Sequence, residues 1–306
     1  REKAVQWFRK WFYNDDKKIV ESDLKVLTDK ALFVTEKHKV NLSYVSEVTV
    51  EKHNQTIFKN YAKSREQFAL LTVAEKQRLI RKLLCIDNDN SENEIEYVGE
   101  VRGEFVDLQK IILRKENEVP LPMLIYYPEK QVRKVVIWVS DEGKSKLVDS
   151  AGLMQQYVRQ QDVAVIFSDL RGTGETEDKL ALNDPKYFNK DYRNAMLGLH
   201  IGKPLLGQRT KDLLNILQFI SANVKLSLAI VELNAKGNVG LPALYTSFLS
   251  SKIAVLNVSH CIGSYYQILQ QPIVKDRYGL VLYNQLAYFD IPDLVSWTTT
   301  AKVRFN

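Results

Sequence analysis

The residues best suited to chemistry lie in the second half of the chain. Lys236-Gly237-Asn238-Val239-Gly240 stands between a strand-like run, Leu228 to Leu233, and a helical pattern, Leu241 to Leu249. Backbone N–H groups at the start of a helix attract carboxylate or phosphate, and Lys236 adds a full positive charge. A P-loop needs two glycines separated by four residues and followed by Lys and Ser or Thr. This segment lacks that spacing, so a small anion is expected there rather than a nucleotide. Ser259-His260 follows a second run, Ile253 to Val258. A serine and a histidine can act as nucleophile and base, but neighbours on a strand point to opposite faces and pair poorly. Asp141-Glu142-Gly143-Lys144 follows a third run, Val135 to Val139. Glu142 therefore joins Lys236, Asn238 and Arg171 as a candidate binding residue at the strand edges.

Other chemistry is poorly supported. The acidic, Asn-rich stretch Asp87 to Glu94 lacks the spaced glycine and terminal glutamate of an EF-hand, and reads as a surface linker rather than a calcium loop. Cys85 and Cys261 form no CxxC or Cys/His cluster, so no metal site and no cofactor is indicated, and both are expected to be buried free thiols. His38, His53 and His200 read as surface or packing residues. The 43 basic and 37 acidic residues are spread along the chain, with no run dense enough to follow a phosphate backbone, so nucleic acid is not an expected partner. No stretch reaches the roughly 18 uninterrupted apolar residues of a membrane span.

The elements that must position these residues follow from periodicity. A chain of 306 residues with 45% hydrophobic content can bury one large core plus an appendage. Ala4, Trp7, Phe8, Trp11 and Phe12 fall on one helical stripe, wide enough to dock on a core, and Val73 to Leu84 has a second helical pattern. Residues 1 to 90 are thus expected to form a mostly helical extension. From residue 91 the texture changes: Val106 to Leu113 and Leu121 to Tyr127 read as a hairpin, followed by a buried strand Val135 to Val139, a helix Val148 to Gln160 and a strand Val163 to Phe167. A helix Asp212 to Ile220 precedes the runs around Gly237. A hairpin followed by alternating strands and helices predicts an α/β fold whose sheet is antiparallel at one edge and parallel beyond it, with helices on both faces.

Two segments carry a family resemblance. Ser168-Asp169-Leu170-Arg171-Gly172-Thr173-Gly174-Glu175 resembles the D-x-R-G-x-G motif of α/β-hydrolases, in particular acetylxylan-esterase-like and prolyl-oligopeptidase-like members. Gly202-Lys203-Pro204-Leu205-Leu206-Gly207-Gln208-Arg209, followed by Asp212, is similar to the G-x-P-x-x-G-x-R-x-x-D segment before the nucleophile strand of bacterial acetylxylan-esterase-like enzymes. Asp169, Arg171, Gly172, Gly174, Arg209 and Asp212 are expected to pin loops to the sheet through tight turns and ion pairs. The resemblance implies a G-x-S-x-G nucleophile elbow before the helix at Leu241. Counting back from that helix, the serine position falls on Gly237, which keeps the turn and removes the nucleophile.

The implied protein is a carbohydrate-esterase-like module degenerate at its elbow, with a carbohydrate or small anion as ligand. The alternative is an active ester hydrolase completed by residues outside this segment. The segment around Asp290 and Asp293 resembles one that precedes a late strand, and the resemblance places the triad acid and histidine beyond Asn306. It also implies a longer polypeptide with a further hydrolase-like domain, α-helical residues near Ala4 being its tail, and a secreted, periplasmic or cell-surface location.

Overall fold

The computed structural model describes residues 1–44, 46–87, 91–102, 106–148, 152–179, 190–271 and 275–305. The chain divides into two compact units, Arg1–Lys52 and His53–Asn306. The first contains α1 (Glu2–Tyr13), α2 (Asp29–Leu32) and α3 (Val40–Ser43), and α4 (Val50–Asn60) begins at its end. The stripe of α1 is helical as its spacing requires, but none of its residues is buried, and Trp7, Phe8, Trp11 and Phe12 are exposed.

The second unit opens with α5 (Ala62–Ala69) and α6 (Val73–Leu84) and then builds the sheet. Its strands are β1 (Glu94–Arg102), β2 (Asp107–Arg114), β3 (Leu121–Tyr126), β4 (Lys134–Ser140), β5 (Val163–Ser168), β6 (Ile230–Lys236), β7 (Ile253–Ser259) and β8 (Lys302–Phe305). They lie in the order β1-β2-β3-β5-β4-β6-β7-β8. The pairs among β1, β2, β3 and β5 are antiparallel, and those from β5 through β4, β6 and β7 to β8 are parallel. The expected division into an antiparallel edge and a parallel remainder is present.

Helices α7 (Lys144–Val148) and α8 (Leu153–Val158) connect β4 to β5. The β5 to β6 connection carries α9 (Tyr192–His200) and α10 (Leu205–Ala222), β6 leads to β7 through α11 (Gly240–Leu249), and α12 (Tyr265–Leu269) and α13 (Ile291–Trp297) precede β8. Because β5 and β6 flank β4 on opposite sides, right-handed crossovers send their helices to opposite faces. Successive residues of β4 divide accordingly. Val136 packs with Leu147, Met154 and Tyr157 on one face, while Val135, Ile137 and Val139 join residues of α6, α10 and α11 on the other.

Several boundaries differ from the sequence expectation for physical reasons. Strand β1 shows no alternating burial, only one of its residues being less than exposed, so it carries no apolar period to read. Of the helix expected over Val148 to Gln160, α7 ends at Val148 and α8 covers Leu153–Val158 with Gly152 in the left-handed region as its cap, residues 149 to 151 lying outside the described residues. The compact units divide at Lys52, and Ile80 and Leu84 of α6 join the main core. Helix α6 has the expected ends: Thr72 and Glu75 form a capping box, and Cys85 closes it in a left-handed conformation. That position leaves Cys85 exposed and Cys261 half-buried, so the expectation of two buried thiols fails for Cys85. Part of the 87 to 94 linker lies outside the described residues, and Glu94 already belongs to β1.

Helices α6 and α10 cross in close contact at Gly207, where an added Cβ would lie 2.8 Å from the Leu84 carbonyl carbon and overlap its oxygen. Rigid backbone cannot yield to a methyl group there. Gly207→Ala is expected to lower the unfolding free energy by about 1–3 kcal/mol or more, measured by urea denaturation against the parent protein.

Candidate functional site

The strand order switches at β4, which makes the carboxyl ends of β4 and β6 the usual ligand position of an open α/β sheet. The loop after β4 supplies Asp141 and Glu142, and the turn after β6 supplies Gly237 and Asn238. Ser140 pairs with Lys236 in the parallel ladder, which brings the two loops side by side. Gly237 has φ +89°, a region that side chains beyond glycine adopt only with strain. Its N–H donates to the Ser259 carbonyl at 2.8 Å, and its own carbonyl accepts from Gly240 N–H at 3.0 Å, opening α11.

An acidic side chain already occupies this anion-binding turn. The Asp141 carboxylate accepts N–H hydrogen bonds from Asn238 at 2.5 Å and Val239 at 3.0 Å. A Cβ added to Gly237 would overlap the same carboxylate, with Asp141 Cγ at 2.7 Å. Burial pushes the Asp141 carboxyl up from its ordinary value, against the pull of the two N–H groups and the charge of Arg209. The sequence offered a signal for this residue in the strand-edge loop, but nothing in its spacing tied an Asp to that turn.

The other expected site residues divide into two groups. Lys236 and Glu142 are joined at 3.2 Å on the exposed rim, and Asn238 is held by Arg277 and by the Asp276 carbonyl, the latter at 2.9 Å. These sit beside Gly237. Arg171 is instead drawn into the protein, donating to Asp212 at 2.9 Å and Glu118 at 2.7 Å. Burial opposes its charge, but Asp212 and Glu118 outweigh burial and hold the guanidinium above its ordinary pKa.

Ser259 ends β7 and His260 follows with φ +59°, exposed. No hydrogen bond joins the two side chains among the described residues. Asp290 caps α13 in a capping box with Asp293 and accepts N–H groups from Tyr265 and Tyr266 and the Ser264 hydroxyl, so both carboxylates are engaged within the protein. His200 is exposed, and its Nδ1 donates to the Met196 carbonyl at 2.7 Å.

The two sequence motifs build ion pairs under this edge. Asp169, 1% exposed, accepts from the Lys144 N–H and from Lys144 Nζ at 2.7 Å, and from Glu175 N–H at 2.9 Å. Arg209, fully buried, makes a two-pronged contact with Asp191 at 2.7 and 2.9 Å and donates to the Arg171 carbonyl. Gly172 and Gly174 take positive φ in the turn that these side chains grip. Among the described residues, no cluster of three or more His, Cys, Asp or Glu side chains has an arrangement that could hold a metal ion.

This fold and edge define an α/β-hydrolase architecture. Among solved structures, the chain is similar to a protein of Bacteroides fragilis NCTC 9343, whose designation as an acetyl xylan esterase is itself provisional. The two share 10% identity over 89% of this chain and 76% of that one, with a TM-score of 0.68. Acetyl Xylan Esterase 1 from Thermoanaerobacterium sp. JW/SL YS485 shares 11% identity, covering 76% of this chain and 86% of that one, with a TM-score of 0.52. At such identities the likeness concerns the fold. No family model matches the chain, and no curated protein matches it by sequence. No helix among the described residues is long and apolar enough to cross a membrane.

Two outcomes follow from these contacts. Arg209→Met removes one partner of a buried ion pair and with it the two-pronged guanidinium contact to Asp191, so a loss of about 3–5 kcal/mol is expected in chemical denaturation. A carboxyl whose pKa is raised in the folded state stabilises the fold below its unfolded value and loses that contribution as pH rises through the folded value. Starting below the ordinary value of 3.8, the stability of the parent protein relative to Asp141→Asn should therefore fall as pH rises, then level off. Unfolding titrations of both proteins across the acid range check the sign, and a difference that grows with pH would contradict it.

Proposed function

We propose that this chain is a catalytically degenerate, carbohydrate-esterase-like module with a binding or scaffolding role. The observation that carries the reading is the Asp141 carboxylate against Gly237, bonded to the N–H groups of Asn238 and Val239. Acyl transfer needs a nucleophile, a base beside it and donors waiting for the oxyanion. At this turn the nucleophile position has no side chain, and its adjacent N–H groups already serve a carboxylate. A negative charge in that place would also repel an oxyanion rather than stabilise one.

The carbohydrate component rests on the solved structures of similar fold, two of which are named as acetyl xylan esterases. The strand-edge residues Lys236, Glu142 and Asn238 are the polar groups through which such a ligand would be held. The pairing of Lys236 and Glu142 on the exposed rim, at 3.2 Å, leaves these two within reach of solvent and of a sugar hydroxyl, while the buried Asn238 side chain is held by Arg277 and the Asp276 carbonyl.

Purified protein is expected to leave p-nitrophenyl acetate and acetylated xylan unhydrolysed above background. Saturable turnover lost on mutating one residue beside Gly237 would overturn the reading. Gly237→Ser is expected to give no efficient esterase, because the new side chain meets Asp141 and has no positioned base. It should also lower stability by at least about 1 kcal/mol, since serine resists the positive φ. Rapid labelling of that variant by a fluorophosphonate would reveal a base and refute the assignment.

A further inference from the structure

The second unit contains a cavity of about 280 Å³ that shares no lining residue with the elbow. It is bounded by α6, the turn entering α10 and the segment from Tyr283 to Tyr288. Phe68, Leu79, Leu83, Pro204, Tyr283 and Tyr288 form its apolar walls. The Phe68 ring is held by Phe289 at 5.5 Å and Trp297 at 5.7 Å between centroids. Its place is therefore fixed before any ligand arrives, which lowers the ordering cost of binding. The cavity opens to solvent, its lining residues Tyr283, Tyr288, Lys82 and Cys85 being exposed, and its volume exceeds the roughly 150 Å³ that accepts a benzene. The space here suits two fused or linked rings.

The polar groups at this cavity are few. Lys82 and Asn284 line it and are exposed, and no salt bridge joins Lys82 to a carboxylate among the described residues. An apolar chamber with a small number of convergent polar groups is the usual form of a small-molecule site. Aromatic walls favour a flat ring, and an unpaired ammonium favours negative charge.

We infer that this cavity binds a small aromatic anion, two rings bearing a carboxylate, sulfonate or phosphate, with the rings against Phe68, Tyr283 and Tyr288 and the anionic group at Lys82. This site is separate from the elbow and does not depend on whether the elbow is catalytic.

The protein carries its own reporter. Cys85 lines the cavity and is exposed, whereas Cys261 is half-buried with its thiol pushed up to about 11 by burial. Near neutral pH iodoacetamide should therefore modify Cys85 well before Cys261. The probe is 8-anilinonaphthalene-1-sulfonate, with N-phenyl-1-naphthylamine as its uncharged counterpart. The sulfonate should bind saturably and slow Cys85 carbamidomethylation with the same half-saturation, by about ten-fold at ten times that concentration, as read by peptide mass spectrometry. Lys82→Glu, a change on an exposed side chain, should weaken the sulfonate by about five-fold, the size of an exposed ion pair, and leave the neutral dye unaffected. Dye fluorescence without protection of Cys85 would mean binding elsewhere, for instance on the exposed rings of α1, and would overturn the site. Absence of saturable binding would do the same, and equal affinity of Lys82→Glu for the sulfonate would overturn the role of the charge.

Discussion

A turn that buries backbone N–H groups must give them an acceptor, because each unpaired donor costs about as much as a lost hydrogen bond. The turn after β6 meets this requirement with Asp141. Its carboxylate crosses from the end of β4 to the N–H groups of Asn238 and Val239, while the Asp141 N–H returns a bond to the Lys236 carbonyl at 3.2 Å. Two loops at the switch point are thereby tied in both directions, and the start of α11 is fixed against the sheet. Glycine at 237 is the complement of that arrangement, since any Cβ would displace the carboxylate.

The same economy extends below the turn. Lys144–Asp169, Arg171–Asp212 and Arg209–Asp191 place six charges in the interior, with side chains between fully buried and one-tenth exposed. Buried pairs contribute little net stability against well-packed apolar groups, yet removing one partner is costly. Their effect here is positional. Asp169 gathers the loop after β4 and the Gly172–Glu175 turn, and Arg209 ties α10 to the chain at Asp191 and Arg171. Among the described residues these pairs fix the loops at the carboxyl edge, with Lys236 and Glu142 exposed on its rim.

How far the sequence disclosed this depends on the kind of signal each residue carries. Continuous apolar runs such as Val135 to Val139 have few ways to be satisfied except in a buried strand, and β4, β5 and β7 lie where such runs stand. The glycine-rich and arginine-containing motifs were legible as turns and ion pairs because their residue types leave little else to do at a sheet edge. Strand β1 was not legible: its side chains are exposed, and its pairing with β2 comes from the backbone. The surface that covers the apolar face of α6 was equally hidden, because periodicity shows that α6 has such a face and does not say which surface covers it. The cavity beside α6 was hidden for the same reason, being formed by three segments distant in sequence.

Asp141 shows why a candidate site resists reading from types and spacing. The sequence suggests an anion-binding turn at Gly237-Asn238-Val239 through its glycines and the helix that follows, and in the structure the N–H groups of Asn238 and Val239 donate to the Asp141 carboxylate. What periodicity omits is that the nearest anion belongs to the protein itself, delivered by a strand nearly a hundred residues earlier. Under the proposed reading, two conditions for acyl transfer are then missing together. Restoring a serine alone would place its Cβ against a carboxylate, and removing the carboxylate alone would leave two buried N–H groups without an acceptor. Either change by itself incurs a cost, so the glycine and the aspartate constrain each other.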